Sequence, residues 1–160
     1  MLRRFLLPLF IIFARAVFFF SSFHWVKFEG KRSPRCDAPI LVVAPHSSFL
    51  DSLIVVLLGM NSVVGKLETA ESITGCLVKM TQPILVSRED PKSRQNTIFE
   101  INRRCKSSDG WPQLVIFPEG TCTNRSCLIR FKTGAFIPGV PVQPAVLRWP
   151  NVIEIFYLYR

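Results

Sequence analysis

The chain carries a histidine and an aspartate whose residue types and spacing suit general base catalysis. His46 and Asp51 lie five residues apart, directly after the apolar run 40–44. A carboxylate that accepts a hydrogen bond from one imidazole nitrogen fixes the tautomer and leaves the other nitrogen free to take a proton from a hydroxyl. Because residues five apart in a regular helix point away from each other, the pair can meet only if His46 precedes the helix. We therefore predict a strand over 40–44, a turn at Pro45 and a helix capped by Ser47.

A second segment has the composition of a loop that binds an anion. The apolar run 114–117 breaks at Pro118, and Glu119, Gly120 and Thr121 follow at once. Glycine allows the backbone to approach a ligand closely, and the hydroxyl and backbone N–H groups can donate hydrogen bonds to a phosphate. An ordinary turn-rich loop explains these residues equally well, just as a capped helix with a surface histidine and aspartate explains the first segment.

Taken together, the two segments resemble the glycerolipid acyltransferase superfamily. Its signature is a histidine, four residues and an aspartate, followed later by Pro-Glu-Gly-Thr, and this chain has PHSSFLD at 45–51 and FPEGTCTN at 117–124. Four further blocks, at 23–26, 82–88, 124–129 and 134–144, are similar to the lysophosphatidylcholine acyltransferase branch. The similarity extends from about residue 18 to about residue 151, which is nearly the whole chain.

The resemblance implies transfer of an acyl group from acyl-CoA, as co-substrate, to the free hydroxyl of a lysophospholipid. Lysophosphatidylcholine is the expected acceptor, and lysophosphatidic acid is the alternative. In this interpretation His46 is the general base and Asp51 is its partner. Neither a cofactor nor a metal is expected. A non-catalytic, membrane-associated truncated isoform that retains the motifs is the alternative from another functional class.

The same resemblance assigns substrate-binding roles to five other residues. Arg88 is expected to bind substrate phosphate. The glycerophosphate of the acceptor is expected to be held with the help of Glu119, Gly120 and Thr121. Pro144 is expected to shape the acyl side of the site.

The cysteines do not suggest a metal site or a disulfide framework. They are odd in number, with no paired metal-ligand spacing, so reduced cysteines on a cytosolic face are the simplest account. Cys122 adjoins the second segment, and we interpret it as structural and not as a nucleophile, because the chain holds no histidine besides His24 and His46 to activate it. The five are Cys36, Cys76, Cys105, Cys122 and Cys127.

The N-terminal segment indicates association with a membrane. Residues 1–35 hold seven basic residues and one acidic residue, so +6 of the formal charge of +9 lies beside the apolar stretch 2–20. A span needs roughly 20 apolar residues, and this stretch is interrupted by Pro8 and Arg15. We predict a shallow or re-entrant helix, or the end of a longer anchor. A cleaved signal peptide is the competing interpretation.

Charge and family resemblance together define the expected partners and location. The basic residues would attract anionic lipid headgroups and the phosphates of CoA. A pI near 9.8 also permits nucleic-acid binding, but the basic residues are not interleaved with aromatics in a recognisable module, so nucleic acid is excluded as a partner. The expected location is the endoplasmic reticulum membrane, with the catalytic face in the cytosol, and lipid droplets are the alternative.

Alternating strand and helix patterns predict an α/β fold with a mixed or mostly parallel sheet flanked by helices. Residues 1–30 would form the membrane-anchoring helix and lead-in, and residues 31–160 an acyltransferase domain that is truncated at its C-terminus by comparison with the branch. If the strands before His46 and Glu119 are neighbours, these residues share one cleft. In the helix predicted over 91–104, Ile101 should face inward and Arg104 outward. The other helices are predicted over 2–20, 48–58 and 69–80, and the strands over 25–29, 40–44, 62–66, 84–86, 113–117, 142–147 and 152–159.

Overall fold

Short apolar runs form a five-stranded parallel sheet. A computed structural model describes residues 2–71, 75–87 and 89–149 of the chain. The strands are ordered β3-β2-β4-β1-β5, and each neighbouring pair is parallel. The predicted α/β class is therefore confirmed, and the sheet is parallel throughout the described residues. The strands are β1 Ile40–Ala44, β2 Ser62–Lys66, β3 Ile84–Val86, β4 Leu114–Ile116 and β5 Val142–Val146.

Each face of the sheet buries its own apolar cluster. On one face Ile40, Val42 and Ile116 pack with Ile101 of helix α5, Ser93–Lys106. On the other face Leu41, Val43 and Val115 pack with Val55 of helix α2, Leu53–Leu57. Because both faces are covered, the central strands consist of continuous apolar residues, without the alternation typical of a half-exposed strand.

The N-terminal helix packs on α2 and contributes to a third apolar cluster, separate from the two on the faces of the sheet. Helix α1 spans Leu2–Phe20, as predicted, and its buried Ala14 meets Val56 and Met60. Its opposite face exposes large apolar side chains, namely Leu9, Ile12, Phe13, Val17 and Phe20. Among the described residues, no helix combines the length and the hydrophobicity that crossing a bilayer requires. The helix is confirmed, whereas its membrane association and the domain boundary at residue 30 stay predictions.

Several predicted elements differ from the structure. Residues 25–29 form no strand. The helix predicted over 48–58 is a 3-10 turn, Phe49–Ser52, followed by α2, and the helix predicted over 69–80 consists of α3, Leu67–Glu71, and α4, Gly75–Met80. The strand predicted over 152–159 lies outside the described residues.

Arg104 is a further correction, because it is buried and not directed outward as predicted. Its Nε donates to Glu100 Oε1 at 2.6 Å, and its guanidinium carbon lies 4.2 Å from the centre of the Trp111 ring. Together with Arg103, Arg104 lowers the pKa of Glu100 to about 2. Amphipathic spacing alone predicts an exposed arginine at this position. The Glu100 carboxylate one turn earlier and the face of the Trp111 ring stabilise the buried guanidinium.

The amino-terminal edge of the sheet is closed by a polar network. Gln113, at the start of β4, accepts at Oε1 from Arg32 Nε at 3.1 Å and Nη2 at 2.9 Å, and its amide nitrogen donates to the Ala38 carbonyl at 2.7 Å. Arg32 Nη2 also donates to Asn61 Oδ1 at 3.2 Å, just before β2. These hydrogen bonds connect the starts of β1, β2 and β4, so we expect this edge to stabilise the folded sheet.

Candidate active site

The carboxyl-terminal edge of the sheet brings the two predicted catalytic segments together. β1 and β4 are neighbours in parallel register, with Ile40 opposite Leu114, so the residues that follow them emerge side by side. The backbone N–H of His46 donates to Glu119 Oε2 at 2.9 Å, across 73 residues of sequence. The predicted shared cleft of His46 and Glu119 is therefore present in the structure.

His46 and Asp51 form a hydrogen-bonded pair. Nδ1 of His46 lies 2.9 Å from Oδ2 of Asp51, and the Asp51 side chain is fully buried. His46 precedes the 3-10 turn, as the spacing requires. The helix cap is Ser48 and not Ser47 as predicted, because the Ser48 hydroxyl accepts from the Leu50 N–H at 3.2 Å.

Hydrogen-bond donors from four residues surround the Asp51 carboxylate and keep it charged. Besides His46, the backbone N–H groups of Ser47 and Ser48 donate to Oδ2 at 2.6 and 2.9 Å, and the indole N–H of Trp149 donates to Oδ1 at 2.8 Å. Burial acts to raise the pKa of Asp51, but the hydrogen bonds from Ser48, Ser47, His46 and Trp149 outweigh it, so the pKa lies below its ordinary value. A charged carboxylate can only accept, so Nδ1 of a neutral His46 must carry the proton.

The second imidazole nitrogen therefore has a free lone pair and faces the surface. The His46 ring stacks on Phe117, with 4.2 Å between ring centres, and 22% of the His46 side chain is exposed. Nε2 lies 3.3 Å from Sγ of the exposed Cys122. Burial, and next the charge of Asp51, raise the pKa of Cys122, so its thiol is protonated and can donate to Nε2. This is the nitrogen that would take a proton from an alcohol.

The loop after β4 turns at Gly120 and wraps over His46. Gly120 has φ +67°, a left-handed conformation that favours glycine, and a Cβ at this position would come within 2.9 Å of the Lys132 side chain. Beyond the turn, the Thr123 N–H donates to the His46 carbonyl at 2.8 Å. Thr121 is exposed between these two points.

Glu119 makes a contact that the resemblance did not predict. It is buried, and its described bond goes to the backbone of His46. Glu119 therefore helps to position the segment that carries His46. The predicted acceptor contacts of Glu119, Gly120 and Thr121 stay predictions.

Three exposed cations lie near the dyad. Arg125 Nη2 donates to the Ser47 hydroxyl at 2.6 Å, and the Lys132 stem covers the Gly120 turn. Lys66, at the end of β2, is close enough for its charge to lower the pKa of the Cys122 thiol, against the net upward shift. Arg88, the predicted phosphate ligand, lies outside the described residues.

The structure does not bring Pro144 to the dyad. Pro144 lies within β5 in register with Val42, whereas His46 stacks on Phe117, which packs on the opposite face of the sheet. As an edge strand, β5 tolerates a residue that lacks an N–H donor. Its predicted role on the acyl side of the site is still untested.

An aromatic cavity adjoins the dyad through Trp149. The Trp149 ring meets Phe23 edge to face, with 5.3 Å between ring centres. Phe23 is part of the lining of a cavity of about 320 Å³ between α1, α2 and the lead-in. The lining is apolar apart from Arg15 and His24, and its size falls in the range of small-molecule pockets.

Sequence reasoning missed two contacts of the dyad. The sequence gives no sign that Trp149 contacts Asp51, and it favours a structural role for Cys122. Each is far from its partner in the chain, by 98 residues for Trp149 and Asp51 and 76 for Cys122 and His46. The only local signal was the proximity of Cys122 to the Glu-Gly-Thr turn.

Within residues 2–71, 75–87 and 89–149, no cluster of three or more histidine, cysteine, aspartate or glutamate side chains is arranged to hold a metal ion.

Comparisons with known proteins agree with this geometry. Residues 25–148 match the family model described as Acyltransferase. The chain is 56% identical to the Lysophosphatidylcholine acyltransferase of Drosophila melanogaster over 143 residues, which are 89% of this chain and 27% of the relative. It is 52% identical to Lysophosphatidylcholine acyltransferase 2 of Danio rerio over 153 residues, 95% of this chain and 29% of the relative.

A human protein, Lysophosphatidylcholine acyltransferase 2, is 53% identical over 141 residues, 88% of this chain and 26% of the relative. The chain thus spans between a quarter and a third of the length of these relatives. No solved structure gives a significant match. The family match covers the sheet, the dyad and the loop after β4, and the chain therefore belongs to the acyltransferase family.

Proposed function

We propose that the chain transfers an acyl group from acyl-CoA to the free hydroxyl of a lysophospholipid, with lysophosphatidylcholine as the acceptor. The observation that carries the proposal is the orientation of His46, whose Nδ1 is bound by the buried Asp51 while Nε2 faces the surface. The names of the relatives supply the substrate class.

In the proposed reaction His46 acts as the general base. The acceptor oxygen attacks the thioester carbonyl carbon while Nε2 takes the hydroxyl proton, since an alcohol is a poor nucleophile at neutral pH. The tetrahedral intermediate then expels the CoA thiolate, which receives the same proton from His46. Asp51 stabilises the imidazolium that exists between these two proton transfers, and the proposed steps use no metal.

The cations around the dyad suit the phosphates of both substrates. Lys66, Arg125 and Lys132 are exposed, and each lies near His46, Cys122 or the Gly120 turn. We assign the acyl chain to the cavity beside Trp149, because its lining is mainly aromatic and aliphatic. Arg88 keeps its proposed role in phosphate binding on the family resemblance alone.

We further propose that the chain acts at a membrane surface, with the endoplasmic reticulum as its location and the catalytic edge toward the cytosol. The exposed apolar face of α1 supports this proposal, since such a face can lie in the headgroup region without crossing the bilayer. Fractionation of cells that express the tagged chain tests the location, and a lipid-droplet fraction is the competing result.

The test of the activity is an assay of the purified chain with acyl-CoA and a panel of lysophospholipids. We expect transfer that falls roughly 100-fold to 10,000-fold in His46→Ala, with lipid binding retained. Asn102→Ala is the control, because Asn102 lies on α5 and its side-chain amide donates to the Ile98 carbonyl of the same helix. A wild-type chain that binds membranes but transfers nothing would identify a non-catalytic module.

Lysophosphatidic acid is the second candidate acceptor, favoured by the three cations, because its phosphomonoester carries more negative charge than a phosphocholine. Competition between the two acceptors at equal concentration decides between them. Preferential acylation of lysophosphatidic acid would replace the proposed substrate and leave the mechanism intact.

A further inference from the structure

The segment that covers the dyad presents a basic and apolar surface to solvent. We call residues 124–137 the rim loop. Five large apolar side chains in it are exposed, and Leu128 is fully so. Soluble proteins scatter exposed apolar residues singly, whereas a cluster of this kind marks an interaction site. The five are Leu128, Ile129, Phe131, Phe136 and Ile137.

Charge identifies the kind of partner that fits this surface. The rim loop contains Arg125, Arg130 and Lys132, and residues 120–149 contain no aspartate or glutamate. Basic side chains between exposed apolar ones suit an interface with anionic headgroups above and acyl chains below. An acidic protein partner would explain the cations but would leave the five apolar side chains without matching partners.

The rim loop is attached to the dyad and does not form an independent surface. Lys132 N–H donates to the Pro118 carbonyl at 2.8 Å, and Arg125 donates to Ser47 beside His46. Phe49 and Leu50, in the 3-10 turn that follows His46, are also exposed. Exposed apolar side chains therefore occur both in the rim loop and in the turn that carries Asp51.

We propose that the rim loop docks on a lipid bilayer, inserts Leu128, Ile129 and Phe131 below anionic headgroups, and holds the dyad at the surface from which the lipid acceptor arrives. The purpose of the docking, delivery of the lipid acceptor, rests on the proposed function. The docking surface rests on the exposed apolar side chains and the basic residues of the rim loop. It is separate from α1, which every variant below retains.

The experiment measures how strongly two doubly substituted variants of the 160-residue chain bind vesicles of phosphatidylcholine, prepared with and without phosphatidylserine. Leu128→Ser/Phe131→Ser removes the inserted side chains. The matched control is Phe99→Ser/Val146→Ser, because Phe99 on α5 and Val146 at the end of β5 are exposed apolar residues outside both the rim loop and residues 1–30. We expect the rim-loop variant to bind phosphatidylserine vesicles about tenfold more weakly than the wild type, and the control to lose less.

Three further measurements keep the test independent of α1 and of folding. Hydrogen–deuterium exchange of residues 124–137 should slow when vesicles are added, while exchange in α5 should not change. Arg130→Glu should weaken binding to phosphatidylserine vesicles and leave binding to pure phosphatidylcholine nearly unchanged, and added salt should reduce that difference. Thermal unfolding midpoints of all variants should match that of the wild type, because the substituted side chains are exposed.

Activity separates this inference from the proposed function. Leu128→Ser/Phe131→Ser should acylate a short-chain, monomerically dissolved lysophospholipid at the wild-type rate and a vesicle-embedded one several-fold more slowly. Absence of transfer with either acceptor in the wild type refutes the proposed function, while vesicle binding still tests the docking. Unchanged vesicle binding and exchange in the variant would overturn the docking, and a change in oligomeric state instead would assign the surface to a protein partner.

Discussion

The two edges of the sheet use similar polar side chains for opposite purposes. At the amino-terminal edge, Arg32, Asn61 and Gln113 bind one another and the backbone. At the carboxyl-terminal edge, Asp51 is equally well satisfied, but its partner His46 keeps one nitrogen at the surface against a thiol. The difference teaches that buried hydrogen bonding by itself does not mark a reactive site; a site also needs one atom that the fold leaves accessible.

Parallel strands explain why the candidate site lies at the carboxyl-terminal edge. β1, β2, β4 and β5 all end there, so His46, Lys66, Glu119 and Trp149 are brought together from distant parts of the sequence. The loops that follow parallel strands are free to vary, whereas the strand starts must close the core. Substitutions at the two edges should therefore separate turnover from stability.

The largest effect on turnover is expected from Asp51→Asn. The asparagine can still occupy the site, but it can donate to Nδ1 and so favour the tautomer whose Nε2 carries the proton. It also withdraws the charge that stabilises the imidazolium. We expect kcat to fall by roughly 100-fold or more, with a smaller change in KM. A variant that mainly loses affinity for the acceptor would contradict the orienting role of Asp51.

Alkylation of Cys122 should be the next largest effect. A group attached to Sγ, 3.3 Å from Nε2, would occupy the space that the acceptor hydroxyl needs. In a Cys36→Ser/Cys127→Ser background, which removes the other exposed described cysteines, we expect activity to decline in step with modification of Cys122. Peptide mass spectrometry follows the modification. Full activity with Cys122 fully alkylated would place the acceptor elsewhere.

Gln113→Ala tests the other edge of the sheet. It leaves Arg32 and the Ala38 carbonyl without their buried partner, so we expect a loss of about 1–3 kcal/mol in the free energy of unfolding, measured by chemical denaturation. The kcat of the folded fraction should stay at the wild-type value. A large fall in kcat at unchanged stability would show that the two edges are not separate in function.

The smallest and most specific effect is expected from Trp149→Phe, which removes one donor to Asp51 and retains most of the ring. Loss of one hydrogen bond to a buried carboxylate should reduce kcat several-fold, which corresponds to about 1 kcal/mol. Trp111→Phe is the matched control, since Trp111 contacts Arg103 and Arg104 near α5. Equal effects of the two substitutions would indicate a general packing role for both indoles.

The same variant has a predictable pH dependence. The pKa of Asp51 in the folded state is lowered, so its contribution to stability is present above the ordinary carboxyl pKa and is lost as the pH falls through the folded-state value. Removing the Trp149 donor raises the folded-state pKa toward the ordinary one. Acid unfolding, followed by circular dichroism, should therefore begin at a higher pH in Trp149→Phe than in the wild type. An unchanged acid transition would mean that Trp149 does not stabilise the charged form.

Local pattern was sufficient to predict the strands that carry the site. β1, β2 and β3 have the predicted bounds, because short apolar runs bounded by polar or turn residues have few alternative structures. The prediction over 25–29 was wrong, since that aromatic and apolar run packs beside α1 or lies exposed and has no strand to pair with. The predicted outward direction of Arg104 was wrong for a related reason. Helical periodicity carries no information about the carboxylate and the indole that bury this side chain.

The sequence by itself determined the pairing of His46 with Asp51, because a strand end, a turn and a cap position are local features encoded within a few residues. Only the tertiary structure decided that Glu119 holds the backbone of His46, that Trp149 completes the shell of Asp51 and that Cys122 faces Nε2. Those contacts depend on the order of strands in the sheet. That order follows from how both faces of the sheet bury their apolar clusters, and residue spacing along the chain does not encode it.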